Sequence, residues 1–164
     1  MTGYVSASAI VDATPDDVFA AITDPGQLPE WNAAITAVVH QPERLEVGAE
    51  WVVEMHALGQ SWHSRSVVET LDPVAGCFAY RSVTDDGNPS HALWTWVVAG
   101  HPQGTVVTVA GELHPETFWR RTLFVHIRSR QLTRRELPSS LAALAAAVNP
   151  TSDAQVRPDP GDHP

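Results

Sequence analysis

The longest amphipathic pattern in the chain runs from about residue 116 to residue 148. At about 100° per residue its apolar side chains fall on one side, as in a helix of roughly eight turns. They are Trp119, Leu123, Ile127, Leu137, Leu141, Leu144 and Val148. Pro138 lies inside this pattern and should bend the helix, because proline lacks an N–H and crowds the carbonyl four residues before it.

Stretches with the two-residue period of β-strands precede this helix. Turn signals such as Asp72-Pro73 and Asp86-Gly87 separate them by short gaps, and such gaps predict antiparallel hairpins. The predicted strands are residues 4–12, 35–40, 50–56, 61–71, 77–84, 92–99 and 105–113.

Two short helices are predicted between the first and second strands. Thr14 suits the N-cap of the first helix, Pro15 its first position, and Asp17 the position from which a carboxylate returns to the cap. The segment DPG at 24–26 ends this helix, and residues 27–31 predict the second. A long amphipathic helix that follows a run of strands must bury its apolar side on their sheet, so the pattern predicts an α+β fold.

Several short motifs punctuate these elements. They are TPDDVF at 14–19, LPEW at 28–31, VG at 47–48, LDP at 71–73, Trp96 eight residues before Gly104-Thr105, and Leu137-Pro138 followed by Leu141 and Leu144. Together they resemble the polyketide cyclase/dehydratase-like branch of the START/Bet v 1-like (SRPBCC) superfamily. The resemblance covers about residues 4 to 148 and concerns the fold more than any activity, because the motifs are structural.

The resemblance implies a helix-grip fold, in which a seven-stranded antiparallel sheet wraps around the long C-terminal helix and a hydrophobic ligand lies between them. Residues 1–148 are expected to form a single START/Bet v 1-like domain. The tail at 149–164 is rich in Pro, Asp and Gly and is expected to be disordered.

Composition limits the partners and the location. The net charge of −9 argues against nucleic acid as a partner. The sequence shows no N-terminal signal and no apolar run of about 18 residues, so neither secretion nor a membrane span is expected. The single cysteine, Cys77, rules out an internal disulfide, and a reducing cytoplasm is the expected location.

Aromatic residues on adjacent strands give the main indication of a ligand site. Those that alternate on one strand face share an orientation, and their convergence would form the wall of a wide apolar pocket. The alternative is an ordinary aromatic core, although large indole rings are hard to pack without voids. The apolar candidates are Trp51, Trp62, Phe78, Tyr80, Trp94, Trp96 and Val98.

Polar candidates must face the same space. Ser64 and Ser66 are candidates on one strand, and His126 and Arg130 share the apolar side of the long helix. A guanidinium suits a carboxylate, so Arg130 would fix the acidic end of an otherwise apolar ligand. The alternative is that Arg130 extends to solvent at the helix edge.

Three functions remain open. The first is binding of a hydrophobic small molecule that is polyketide-, aromatic- or lipid-like. The second is a polyketide cyclase/dehydratase-type enzyme, which needs an acid/base group such as His63, His126 or Tyr80. The third is a protein-interaction domain, including a homodimer, with an exposed stripe formed by Phe118, Val125 and Leu132.

No catalytic motif in the sequence distinguishes between these three functions. The sequence contains no Gly-rich phosphate loop, no Cys or His pair at metal-ligand spacing and no serine motif of the hydrolase type, so neither a metal nor a cofactor is expected.

Overall fold

A computed structural model gives the structure of the protein and describes residues 3–57, 59–116 and 129–149. The strands are Gly3–Val11 (β1), Ile35–His40 (β2), Glu50–Ala57 (β3), Gln60–Asp72 (β4), Cys77–Thr84 (β5), His91–His101 (β6) and Gly104–His114 (β7). The helices are Pro15–Ile22 (α1), Leu28–Trp31 (α2) and Leu137–Val148 (α3), with a 3-10 turn at Pro25–Gln27 and a π-helical turn at Leu132–Glu136.

The seven strands form one antiparallel sheet in the order β1-β7-β6-β5-β4-β3-β2. Strands β2 to β7 follow one another in both chain and sheet, and β1 pairs with β7. The hairpins predicted from the short gaps are therefore confirmed. Register shifts at Ile35/Ala37 and Val68/Thr70 mark irregularities, and such bulges bend strands and curve a sheet.

The short helices begin where the sequence places their caps. The side chain of Thr14 accepts a hydrogen bond from the Asp17 N–H at 3.2 Å, and Pro15 is the first residue of α1. Asp24 caps the following 3-10 turn by accepting from the Gly26 N–H at 2.9 Å. These caps satisfy N–H groups that have no partner within the helix.

Helix α3 buries one side against the rest of the chain. Leu137, Leu141 and Leu144 on that side are buried, with Leu144 0% exposed, as their helical spacing predicts. The helix contacts β1, α1 and α2. It therefore closes one side of the sheet's concave face together with the two short helices.

Pro138 acts on the helix through the π-helical turn that comes just before it. The Leu137 N–H donates to the Leu132 carbonyl, five residues back, instead of the carbonyl four residues back as in an α-helix. Pro138 has no N–H to continue the α-helical series. The helix is therefore irregular just before this proline, and wide turns of this kind are frequent at functional sites.

Several sequence predictions concern residues outside the described ranges. They include the apolar positions Trp119, Leu123 and Ile127, and almost all of the tail at 149–164. Among the residues that are described, no helix is long and apolar enough to cross a membrane.

Candidate functional site

Alternate residues of the central strands point to the sheet face that carries the helices. Strand pairing places Tyr80 opposite Trp94, and Trp94 opposite Gly111. One step along the strands, Ser66 lies opposite Ser82. The inner face therefore presents an aromatic row beside a row of serines.

A cavity lies between this inner face and the helices. Its volume is about 80 Å³, several times the roughly 10–15 Å³ that one water molecule needs. The sheet contributes Val53, Met55 and Val109 with the aromatic and serine rows, and the helices and adjoining loop close the other side. The lining residues are Leu28, Asn32, Ala34, Ile35, Trp51, Val53, Met55, Ser64, Ser66, Tyr80, Ser82, Trp94, Trp96, Val109, Leu132, Glu136, Leu137 and Ser140.

Aromatic rings pack against each other at one end of this space. The Trp51 ring lies 4.9 Å from Tyr80 and 6.1 Å from Phe78, and Phe78 lies 5.3 Å from Tyr80. The edge of Trp31 meets Trp96 at 5.4 Å. The rings themselves occupy much of this sheet face. The volume of the cavity is therefore smaller than the roughly 300–1,000 Å³ typical of pockets for drug-sized ligands.

Hydroxyl groups also line the cavity, next to the rings: Ser66 lies opposite Trp51 in the pairing of β3 with β4. Ser66 and Ser140 are buried, from the sheet and from α3 respectively. Ser64 donates to the Val83 carbonyl at 3.4 Å, which leaves the lone pairs of its oxygen as acceptors. A ligand with a hydroxyl or carbonyl group could therefore form hydrogen bonds here without meeting a fixed charge on the serine row.

Tyr80 provides a neutral hydroxyl beside the serines. It is half-buried and lines the cavity. Desolvation raises the pKa of Tyr80 to about 12, although a hydrogen bond with the Trp96 side chain acts in the opposite direction. Tyr80 is therefore protonated at neutral pH and can donate a hydrogen bond, but it cannot serve as a general base there.

The raised pKa of Tyr80 predicts a loss of stability at alkaline pH. Between pH 10, the ordinary pKa, and about pH 12 the folded state binds the proton that the unfolded state has lost. Stability is therefore complete below pH 10 and falls through this window, by about 2–3 kcal/mol at roughly 1.36 kcal/mol per pKa unit. Urea unfolding at pH 9 to 12 should show a smaller fall for Tyr80→Phe, and equal falls would contradict the assignment.

Six of the residues chosen from the sequence line the cavity: Trp51, Ser64, Ser66, Tyr80, Trp94 and Trp96. Phe78 and Val98 do not line it and are buried in the core. Trp62 does not line it either. It lies near the start of β4 opposite Met55, which does line the cavity. His63 is exposed, because it has the opposite strand parity to Ser64.

The prediction that Arg130 reaches the cavity is wrong. Arg130 is exposed, whereas Leu132, which the sequence placed on an exposed stripe, is buried and lines the cavity. The π-helical turn explains both errors, because one extra residue in a turn rotates the preceding segment by about 100° relative to α3. His126, Phe118 and Val125 lie outside the described residues.

Other lining residues were missed by the sequence reasoning. Ser82 shares strand parity with Tyr80, so the alternation in β5 was a signal that could have found it. Leu137 was assigned to the buried side of the helix but not to the cavity. Asn32 and Glu136 reach the cavity from a helix end and from the π-helical turn, features that no periodic pattern specifies.

No metal site emerges within residues 3–57, 59–116 and 129–149, since they contain no group of three or more His, Cys, Asp or Glu side chains able to hold an ion.

Comparison with solved structures places this architecture among known folds. A crystal structure of a Chromobacterium violaceum protein has a TM-score of 0.67 at 22% identity, covering 90% of this chain and 98% of that chain. The di-domain ARO/CYC protein StfQ from the steffimycin biosynthetic pathway has a TM-score of 0.69 at 14% identity, covering 89% of this chain and 50% of that chain. At these identities the likeness concerns the fold.

A third similar structure is a point mutant of norcoclaurine synthase from Thalictrum flavum in complex with a transition state analogue. Its TM-score is 0.66 at 17% identity, covering 90% of this chain and 94% of that chain. No curated protein sequence matches the chain with significance.

Family membership rests on the sequence as well as on the fold. The model of the family described as polyketide cyclase / dehydrase and lipid transport matches residues 2–149. The matched span includes every described element of the helix-grip architecture. The chain therefore belongs to the polyketide cyclase / dehydrase and lipid transport family, within the START/Bet v 1-like superfamily.

Proposed function

We propose that this protein binds a small hydrophobic molecule, aromatic, polyketide- or lipid-like, in the cavity between the sheet and the C-terminal helix. The observation that carries the proposal is the cavity wall formed by Trp51, Tyr80, Trp94 and Trp96. Rings of this kind offer large apolar surfaces with fixed geometry. Burying the apolar surface of a ligand against them contributes about 25 cal/mol per Å².

The serine row supports a ligand that also carries a few polar groups. Ser64, Ser66 and Ser82 lie on the sheet side, and Ser140 faces them from α3. A hydroxyl or carbonyl of the ligand that is buried here needs a partner, because an unsatisfied buried polar group costs about 1–3 kcal/mol. Hydroxyl-bearing aromatic compounds therefore fit the lining better than pure hydrocarbons do.

Polyketide cyclisation or dehydration in the same cavity is the second candidate function, favoured by the family and by the fold shared with StfQ. Such an enzyme needs an acid/base group within reach of the substrate. Tyr80 is protonated at neutral pH, since burial raises its pKa to about 12. It can polarise a substrate carbonyl by donating a hydrogen bond, which suits orientation of a substrate better than removal of a proton.

Calorimetric titration with 2-naphthol and with 1-decanol tests the binding proposal. We expect at least one of these neutral probes to bind, with a Kd of about 10–100 μM, which is within the range open to ligands of this size. Ser82→Met places a thioether in the cavity and should weaken binding by about tenfold or more, or roughly 1.4 kcal/mol.

A matched control separates cavity filling from a general effect of the new methionine. Ser6 is exposed on the edge strand β1, so Ser6→Met should bind the probes like the unchanged protein. Circular dichroism of both variants reports whether the fold is intact. If neither probe binds, or if Ser82→Met and Ser6→Met bind with equal affinity, a ligand site at this cavity is contradicted.

A further inference from the structure

Gly111 on β7 occupies a position where any larger residue would meet the ring of Trp94. A Cβ atom built on Gly111 would lie 2.7, 2.9 and 3.0 Å from three atoms of the six-membered ring of that indole. Ordinary contacts begin at 3.4 Å. The indole therefore rests directly on the backbone of β7, in the place that a side chain at position 111 would occupy.

This contact fixes the side of the cavity on which the ring of Trp94 lies. Trp94 has two lateral neighbours, Tyr80 on β5 and Gly111 on β7. Because its six-membered ring lies over Gly111, the indole leans towards β7, away from Tyr80. Both Trp94 and Tyr80 line the cavity, so the tilt of this one ring changes the room available to a ligand.

We infer that Gly111 and Trp94 together set the size of ligand that the cavity accepts, and so act as its size filter. Because residue 111 has no side chain, the indole of Trp94 can lie to one side, and the cavity then admits a ligand of two fused rings. The inference rests on the proposed binding function and adds to it a specificity determinant. With alanine at 111 the ring must move 0.7 Å to restore an ordinary contact, from 2.7 to 3.4 Å. The cavity has a volume of only about 80 Å³. Such a movement of the indole narrows the gap between the side chains of Trp94 and Tyr80, which we call the slot.

The backbone conformation of Gly111 allows the effect of Gly111→Ala on ligand binding to be separated from backbone strain. Gly111 does not have the positive φ found at Gly104 and Gly76, so alanine fits its backbone conformation. Any change in Gly111→Ala must therefore come through the ring above it. Gly100→Ala is the matched control, because Gly100 also lies in the sheet without positive φ and has nothing within 4 Å of a built Cβ.

The test compares affinities for phenol and 2-naphthol, which carry the same hydroxyl on one ring and on two. Gly111→Ala should weaken 2-naphthol binding by about tenfold, or roughly 1.4 kcal/mol, and should change phenol binding by less than about threefold, or roughly 0.7 kcal/mol. Gly100→Ala should bind both probes like the unchanged protein. The double variant Gly111→Ala/Trp94→Phe lacks the ring atoms that meet the new Cβ and should regain 2-naphthol binding.

A second variant keeps the inference testable if Gly111→Ala does not fold. Trp94→Phe alone should enlarge the slot and improve binding of 2-naphthol relative to phenol. Unchanged selectivity between the two probes in Trp94→Phe, or in a folded Gly111→Ala, would overturn the size filter. If the unchanged protein binds 1-decanol but neither phenol nor 2-naphthol, the size filter is overturned and the binding function stands. If it binds none of the three probes, the binding function itself fails.

Discussion

Gly76→Ala is expected to lower the free energy of unfolding by about 2–5 kcal/mol, from two separate causes. Gly76 has φ +65° in the turn between β4 and β5, a conformation that costs an L-residue about 1–2 kcal/mol. A Cβ at this position would also lie 2.2 Å from the Val98 carbonyl oxygen. Relieving such an overlap by shifting the backbone costs about 1–3 kcal/mol more.

The turn around Gly76 offers little freedom for that shift. The Val98 N–H donates to the Gly76 carbonyl at 2.8 Å, which ties the turn to β6. Asp72 accepts from the Val74 and Ala75 N–H groups at 3.0 and 2.9 Å. A displacement that makes room for a methyl group would have to break or lengthen these hydrogen bonds.

Gly87→Ala is the control for this prediction. Gly87 also has positive φ, +76°, but nothing lies within 4 Å of a Cβ built there. Its substitution should therefore cost only the conformational part, about 1–2 kcal/mol. Urea unfolding of both variants measures the difference, and equal losses would show that the contact with Val98 has no energetic weight.

The order of the elements could be predicted because each has a local cause. Alternating apolar positions and short turns marked the strands, and Thr14, Pro15 and Asp17 marked the start of α1. The register between strands has no such local mark. The pairing of Tyr80 with Trp94, and of Trp94 with Gly111, depends on bulges and turns across the whole sheet.

The candidate site was predictable on the strands and not on the helix. Strand parity placed Trp94, Trp96 and Tyr80 on one face, and all three line the cavity. On the helix, a uniform 100° per residue placed Arg130 inwards and Leu132 outwards, and the π-helical turn reverses both. A single extra residue in one turn is enough to reverse these orientations, because it rotates every preceding residue of the helix relative to α3.

The size of the cavity is a further property that residue patterns do not specify. The aromatic side chains of the sequence predict a wide pocket, but Trp51, Phe78 and Tyr80 contact one another and fill much of the space. Whether rings enclose a void or close it depends on their rotamers. These are set by packing between residues that are distant in sequence.

Two leucines on the same side of α3 allow the core and the cavity to be separated experimentally. Leu137 lines the cavity, whereas Leu144, two turns later and 0% exposed, does not. Leu144→Ala should lower the free energy of unfolding by about 2–5 kcal/mol, because it removes buried methyl groups and leaves a void. Leu137→Ala should also destabilise the folded protein, and the volume of the removed side chain should enlarge the existing cavity.

Binding then distinguishes the two positions, because only one of them touches the ligand space. Leu137→Ala should change the affinity for 2-naphthol relative to 1-decanol by about threefold or more, or roughly 0.7 kcal/mol. Leu144→Ala should leave that ratio unchanged at temperatures where it is folded. Unfolding in urea and calorimetric titration provide the two measurements.

A loss below about 1 kcal/mol in the free energy of unfolding of Leu144→Ala would contradict its place in the core, since buried Leu→Ala changes cost more. Equal shifts in selectivity for both variants would mean that the cavity wall extends further along the helix than Ser140.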